Sequence, residues 1–506
     1  MANEIELKLR IASSDLAHLR RHPAILAALS GKPVTRRLIS IYYDTPNLAL
    51  LDAGLSLRVR RMSGGWFQAV KAAGHALAGL HQRDEWEDII SQGHPDFSKI
   101  TAPALTKIFD DPRLRNALAP IFTTDVRRTE WQLAWDNGDR IELALDLGDL
   151  IIGELREPIR EIELELKGGD TARLFELALA LQQDIPLELE NISKAQRGYA
   201  HYRVPAPIIL RAQPTHLAQP ASADDAFKQI AWECLAQLQG NQDMVLHGED
   251  LEGVHQMRVA LRRLRSALRI FSPVIDQEIA VRFQAEIRWL STQLGHARDL
   301  DVFTGETLPR LLQVFHAHPG LLQLAKKAEQ ARQQAYVELH SAMGSQRYNG
   351  LLLALACWLE SGRWRQPEHA ELSAKELASR VLSRHYKQLR RHGRRLTQML
   401  PEERHEARLA AKRLRYAAEF FASLYPATRT QAFVRTLAKL QNTLGELNDI
   451  TVTESLLDRL IGPKPSRPLD QAAHLISGWN ARHGEQRLAD MGKVWQKFAG
   501  HKPFWR

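Results

Sequence analysis

The chain has 506 residues, 44% hydrophobic and 25% charged, with a net charge of +9. That length points to two to four domains, and the composition is that of a globular protein able to bury a sizeable core. Two cysteines, Cys234 and Cys357, exclude a disulfide framework or a Cys-x-x-Cys metal site, and they fit a reducing, cytoplasmic setting. Met1 to Arg10 is charged and alternating and not an apolar h-region, so no secretory leader is expected. The longest apolar run, Leu351 to Leu359, is too short to cross a bilayer, so no membrane role is expected.

Charge is uneven along the chain. Residues 1–203 hold 26 Lys and Arg against 29 Asp and Glu, and the remainder holds 42 against 30. The basic character therefore belongs to the C-terminal part and suggests a polyanionic partner there.

Residues 1–203 alternate apolar and polar positions in short runs, which predicts strands. Glu4, Glu6 and Lys8 fall on one face, opposite Ile5, Leu7 and Leu9. Arg58 and Arg60 share a face. So do Arg83, Glu85 and Glu87, then Glu142 and Asp146, then Glu161, Glu163, Glu165 and Lys167. One such strand is an ordinary half-buried strand with a solvated polar face. Five of them, almost wholly ionisable and of both signs, suggest a closed barrel that turns these faces inward. Lys and Arg clamp phosphate oxygens, and clustered carboxylates offer hard ligands to Mg²⁺ or Mn²⁺. Opposite charges also keep one another ionised in a confined space.

Glu4-Ile5-Glu6-Leu7-Lys8, followed by Tyr43-Asp44-Thr45, Leu57-Arg58-Val59-Arg60, Lys71, Arg83-Asp84-Glu85-Trp86-Glu87, Glu161-Ile162-Glu163-Leu164-Glu165 and Ser193-Lys194, resembles the CYTH family of triphosphate tunnel metalloenzymes over residues 1–203. The resemblance implies an eight-stranded antiparallel β-tunnel with covering helices. It implies that Lys8, Arg58, Arg60, Lys71, Arg83 and Lys194 bind phosphate. It assigns metal to Glu4, Glu6, Glu161, Glu163 and Glu165, with Glu85, Glu87 and Asp146 as further candidates. Three alternate glutamates leave the Glu-x-Glu register open. The surroundings of Lys71 lack the threonine expected near it.

Residues 204–225 carry Pro205, Pro207, Pro214 and Pro220 and read as a linker. From Ala226 the apolar spacing becomes three and four, which predicts an all-α domain over 226–506. His255-x-x-Arg258-x-x-x-Arg262-Arg263-Leu264-Arg265 recurs 150 residues later as His405-x-x-Arg408-x-x-x-Lys412-Arg413-Leu414-Arg415. Leu294-Gly295 with Arg298-Asp299 recurs at the same offset as Leu444-Gly445 with Asn448-Asp449. Two motifs at one offset indicate a tandem duplication, with halves at about 226–366 and 376–462 and a C-terminal helical tail. Arg258, Arg262, Arg265 and Arg269 form a basic stripe, with Leu261, Leu264 and Leu268 as packing neighbours. Arg380, Arg384, Lys387, Arg390, Arg391, Arg394 and Arg395 precede the second motif, so the second copy is expected to carry more positive potential.

The His-x-x-Arg and Leu-Gly…Asp segments resemble the CHAD module over about 226–500, which implies inorganic polyphosphate binding. The implied contacts are His255, Arg258, Arg262, Arg263, Arg265, Arg269, Arg384, Lys387, Arg390, Arg391, Arg394, His405, Arg408, Lys412, Arg413 and Arg415. Isolated histidines among cations make poor metal sites, so phosphate contact or helix positioning is expected of them. Asp299 and Asp449 are expected to orient arginines. Nucleic acid is a weaker fit, because Tyr416 is the main aromatic interleaved with the stripes.

The expected activity is metal-dependent hydrolysis of inorganic triphosphate to phosphate and diphosphate, with polyphosphate binding or granule tethering by the helices. Hydrolysis of a nucleotide or thiamine triphosphate, cyclisation of ATP, and a non-catalytic polyphosphate-binding role are the alternatives.

Overall fold

The computed structural model describes the chain except Met1, Ser63, Glu249, Pro367, His369, Ala370, residues 394–398 and Leu400. The chain forms two compact units. One contains Met1–Ala206 and Gly344–Ser361, and the other contains Pro207–Met343 and Gly362–Arg506. The sequence division at 203 and 226 falls close to the first boundary. It did not separate 344–361 from the helical domain around it.

The first unit holds ten strands: β1 (Ala2–Ile11), β2 (Val34–Asp44), β3 (Leu55–Met62), β4 (Gly65–Ala72), β5 (His75–Leu77), β6 (Leu80–Ile90), β7 (Ala119–Ala134), β8 (Arg140–Ile152), β9 (Leu155–Gly168) and β10 (Leu187–Leu189). Eight of them close antiparallel in the order β1-β9-β8-β7-β2-β3-β4-β6, with β6 returning to β1. This is the expected tunnel. Closure leaves these strands no open edge. The β8–β9 hairpin turns through two residues between Ile152 and Leu155. Gly153, with φ 57, takes the left-handed conformation that such a tight turn favours.

Alternation sorts the two faces. Leu57 and Val59 are fully buried outside the tunnel, against Leu105 and Phe109 of the helix Pro103–Phe109. Leu7, Leu9, Ile162 and Leu164 are fully buried on the β1–β9 wall, where the helix Ala172–Asp184 packs. Each such leucine contributes about 1.5–3 kcal/mol of transfer free energy. The inward faces are ionic along part of their length and apolar further on. Leu38, Tyr42, Phe122, Val126, Leu150, Ile159 and Tyr199 form one cluster. Val126 lies two residues from Arg128, and Ile159 two from Glu161, so the cluster plugs one end of the same lumen. Tyr199 comes from the helix Lys194–Ala200, whose start is fixed by a capping box between Ser193 and Gln196.

The second unit is all helical. Ala223–Gln239, Glu252–Ile270, Gln277–Val302 and Pro319–Met343 are followed by Ala374–Gly393, Pro401–Phe421, Ala427–Ile461 and Arg467–Ala499. Each of the last four begins close to 150 residues after its counterpart, the same offset as the two sequence motifs, so the helices fall into two four-helix sets. The stretch 463–466 is a loop inside the second set, as 315–318 is in the first. The last helix packs on both 427–461 and 319–343. The segment read as a tail is therefore the fourth helix of the second copy. No helix among the described residues is long and apolar enough to cross a membrane.

Candidate functional site

The lumen contains a cavity of about 1020 Å³. Lys8, Arg58, Arg60, Lys71, Arg83, Lys194, Glu4, Glu6, Glu85, Glu87, Glu163 and Glu165 all line it. Nearly every carboxylate is tied to a cation. Lys71 Nζ lies 2.8 Å from Glu4 Oε2 and 3.0 Å from Glu85 Oε2. Arg83 reaches Glu4 at 2.9 Å and Glu6 at 2.6 Å. Lys8 Nζ sits 3.0 Å from Glu6 and 2.5 Å from Glu163, and Arg58 lies 3.1 Å from Glu85. Lys167 pairs with Glu165 at 2.6 Å.

These pairings set the ionisation. Burial works against the Glu4 carboxylate, yet Lys71, Arg83 and Lys8 together hold its pKa well below the usual range. Burial likewise opposes charge on Glu163, and Lys194, Lys8 and Arg128 overcome it. Lys71 is lowered to about 8 by burial and by Arg58 and Arg83. Arg60 is lowered to about 10 by burial and by Arg58 and Arg128. Arg60 Nε donates to Ser40 Oγ, and among the described residues no carboxylate pairs with it.

Two expected metal ligands sit differently. Glu161 and Asp146 are fully buried and do not line the cavity. Lys194 reaches Glu161 at 2.6 Å and Asp146 at 2.9 Å, and Arg197 Nη1 reaches Glu161 at 2.7 Å. Glu163 and Glu165 face the lumen, and Glu165 is the direct cross-strand partner of Glu6. The motif residue Asp44 also lies outside the lumen. It is fully buried and accepts from the backbone N–H of Thr45, Leu50 and Leu51, capping a short helix.

The sequence reading missed Arg128, which lines the cavity. Its guanidinium grips Asp146 at 2.7 and 2.6 Å and also contacts Glu163. Arg36, Glu130 and Glu142 line the cavity too. On β7 the neighbours Arg127 and Thr129 are themselves polar, so no alternation marked Arg128 as inward.

Glu4, Glu6, Glu163 and Glu165 put hard oxygen donors on adjacent strands, a donor set that suits Mg²⁺ or Mn²⁺. Among the described residues no three acidic, His or Cys side chains converge as a ready metal cage. The paired lysines and arginines occupy those oxygens.

The helical unit contains a cleft of about 1540 Å³. His255, Arg258, Arg262 and Arg263 line it from the first copy, and Arg408, Lys412 and Arg415 from the second. Arg298 and Arg435 add further charge. Both motifs thus face one cleft, in near equal share. The basic 374–393 helix expected to favour the second copy contributes nothing to its lining. Arg265 and Arg269 leave the cleft as their helix turns. Arg269, Arg384 and Arg413 instead surround a separate cavity of about 350 Å³ with His385. Arg390 donates to the Ala499 carbonyl at 3.0 Å, while Lys387 and Arg391 are exposed on the same helix. Arg394 and Arg395 lie outside the described residues.

His255 is held neutral, lowered to about 4 by burial and by Arg298. His405 is exposed and does not itself line the cleft, but lies 3.2 Å from Oδ1 of the lining residue Asn448. Asp299 lies 4.0 Å from Arg258. Lys412 is lowered to about 7 by burial, Arg408 and Arg262.

A closed eight-strand tunnel with an ionised interior, joined in sequence to a duplicated four-helix module, defines the class. The family model of the CYTH domain matches residues 2–199, and that of the CHAD domain matches residues 229–458. The chain therefore carries a CYTH domain followed by a CHAD domain. It is 33% identical over 201 residues to an inorganic triphosphatase of Haemophilus influenzae, an alignment spanning 39% of this chain and 55% of that relative. The chain thus matches about half the length of that protein. The crystal structure of the CHAD domain from the plant Ricinus communis superposes with a TM-score of 0.52 at 32% identity, covering 59% of this chain and 98% of that one.

Proposed function

We propose that the tunnel hydrolyses inorganic triphosphate to phosphate and diphosphate, and that the helical cleft binds inorganic polyphosphate. The observation that carries the first part is the lumen itself. Six expected phosphate-binding cations converge on one cavity, and Arg60 there is half-buried without a carboxylate partner among the described residues. The relative named an inorganic triphosphatase supports the same reading.

The chemistry follows from the side chains. Arg58, Arg60, Lys8, Lys71, Arg83 and Lys194 take the oxygens of the triphosphate chain. In doing so they loosen their ion pairs with Glu4, Glu6 and Glu163, which together with Glu165 would hold a divalent cation. That cation supplies charge neutralisation and an acidified water when bound. Water attacks the terminal phosphorus in line, and diphosphate leaves. The fixed guanidinium and ammonium groups stabilise the charge that builds on the phosphoryl oxygens. Tyr42 and Trp86 are the only aromatic rings among the described lining residues, a poor platform for a nucleobase.

The second part rests on eight Lys and Arg against three carboxylates, Asp299, Glu419 and Asp449, among the described residues of the cleft. A phosphate polymer needs only charge and hydrogen-bond donors. Such binding tethers the enzyme to polyphosphate-rich bodies in the cytoplasm.

The test is a substrate panel with Mg²⁺ or Mn²⁺: inorganic triphosphate, ATP, thiamine triphosphate and long-chain polyphosphate, with released phosphate and cyclic nucleotide both measured. Inorganic triphosphate is expected to turn over fastest. Faster ATP or thiamine triphosphate turnover replaces the substrate, and no turnover of any compound removes the enzyme reading and leaves a polyphosphate-binding protein.

A further inference from the structure

The helix Gln346–Ser361 lies in sequence between the two four-helix sets, yet it belongs to the tunnel unit. It has no counterpart in the second copy, which ends with the helix Arg467–Ala499 and a short tail. Most of its circumference is covered: Leu351, Leu352, Leu353, Leu355 and Leu359 are all buried. It packs against the helix Ala172–Asp184 and against β10.

Its polar contacts fix β10. Asn349 is buried, and its Oδ1 accepts from the Leu189 N–H at 3.0 Å. Gln346 donates to the Gln182 carbonyl, and Gln182 Nε2 donates to the Leu187 carbonyl at 3.3 Å. The strand is thereby held from the helix side at Leu187 and at Leu189.

On its other side β10 holds Lys8. β6 pairs with β1 only as far as Leu7, and β10 takes over the same edge at Leu9. At the junction the Glu190 N–H donates to the Lys8 carbonyl at 3.0 Å, and the Lys8 N–H donates to the Gly79 carbonyl at 2.8 Å. The Gly79 N–H in turn donates to Asn191 Oδ1 at 2.8 Å. From this clamped backbone Lys8 Nζ enters the lumen.

We propose that Asn349 is a positioning residue for Lys8: it seats β10, and β10 fixes the backbone from which Lys8 reaches the triphosphate. The proposal rests on the tunnel reading given above. It makes a segment embedded in the helical sequence a working part of the phosphate site. A small displacement of a gripping cation is costly, because binding geometry is lost before any contact is removed.

The test uses the full chain. Inorganic triphosphate binding is measured by calorimetry in chelator for the wild type, Asn349→Ala, Lys8→Met and the double variant. Amide hydrogen exchange is followed at Leu189 and Glu190. Asn349→Ala is expected to weaken triphosphate binding roughly tenfold, to have no further effect in the Lys8→Met background, and to speed exchange at both amides. An equal loss in both backgrounds overturns the proposal, because Asn349 then acts on the unit generally and not through Lys8. Should Asn349→Ala fail to fold, Asn349→Gln displaces the same oxygen by one methylene and is read in the same way. Absence of wild-type binding sinks the tunnel reading instead. In that case unchanged exchange at Glu190 overturns the helix–β10–Lys8 link, and faster exchange upholds it.

Discussion

Arg60 Nε donates to Ser40 Oγ at 2.9 Å, and this neutral hydroxyl is the contact found for a half-buried guanidinium that lines the lumen. The other lumen cations named above lie against carboxylates. On the proposed reading, Arg60 is therefore the group that an incoming phosphate would engage without first breaking an ion pair. A charge-assisted hydrogen bond contributes about 1.5–3 kcal/mol. Arg60→Met should therefore weaken triphosphate binding about 10- to 100-fold. It should not lower the melting temperature, since it removes a partly buried charge that lacks a carboxylate. Calorimetry and a thermal melt on the same sample check both statements. A lower melting temperature with unchanged affinity would contradict the assignment.

Arg128 plays the opposite part. It grips Asp146 with two hydrogen bonds and also contacts Glu163, and both carboxylates are buried. Removing one partner of a buried pair leaves charge uncompensated, at a cost of about 3–5 kcal/mol. Lys194 still reaches both carboxylates, so Arg128→Met should fall near the low end. Burial opposes charge on Asp146, but Arg128 and Lys194 hold it at about 2, below its ordinary 3.8. A depressed carboxylate contributes stability that is complete above pH 3.8 and is lost as pH falls through about 2. Urea unfolding should show the full gap between wild type and variant at pH 7, narrowing across that acid window.

The register of the β9 glutamates shows where the sequence stopped being informative. Alternation placed Glu161, Glu163 and Glu165 on one face, and the structure keeps them there. Depth along the lumen is not encoded in a period of two. It depends on where the helix Lys194–Ala200 docks, and that helix delivers Lys194 and Arg197 onto Glu161. Arg128 was illegible for a related reason, because polar residues on both faces of β7 hide the inward one. The helical duplication was plain from spacing, whereas the meeting of Arg258 and Arg408 in one cleft was not. Helix period assigns a residue to a face, and only packing decides which faces meet. Glu165→Gln should consequently weaken Mn²⁺ binding in the presence of triphosphate, read by calorimetry. Glu161→Gln should chiefly lower stability, by leaving Lys194 and Arg197 partly uncompensated.

Lys412 gives the cleft a pH dependence. Burial, Arg408 and Arg262 lower it to about 7 from 10.5. Between those values the unfolded chain binds more protons than the folded one, so stability rises with pH across that window. A bound polyanion reverses the preference and favours the charged amine. Polyphosphate binding should therefore take up protons and weaken as pH rises through 7. Calorimetry at pH 6 and pH 8, in buffers of different ionisation enthalpy, measures that uptake. Lys412→Met should flatten the pH dependence and raise the melting temperature at pH 6.

Arg258 and Arg408 occupy equivalent places in the two copies and line the same cleft, so the proposed reading gives the duplication one binding site and not two. A short polyphosphate should bind with a stoichiometry of one at this cleft. Arg258→Glu and Arg408→Glu should weaken it to a similar degree, and each should lower the slope of affinity against salt concentration, as expected when a phosphate-contacting cation is lost. Arg391→Glu, on the exposed face of the 374–393 helix, should change affinity little beyond general screening. Two independent sites of unequal strength, with only the second lost in Arg408→Glu, would instead mean that the copies bind separately. Calorimetric titration of the three variants at two salt concentrations decides between these outcomes.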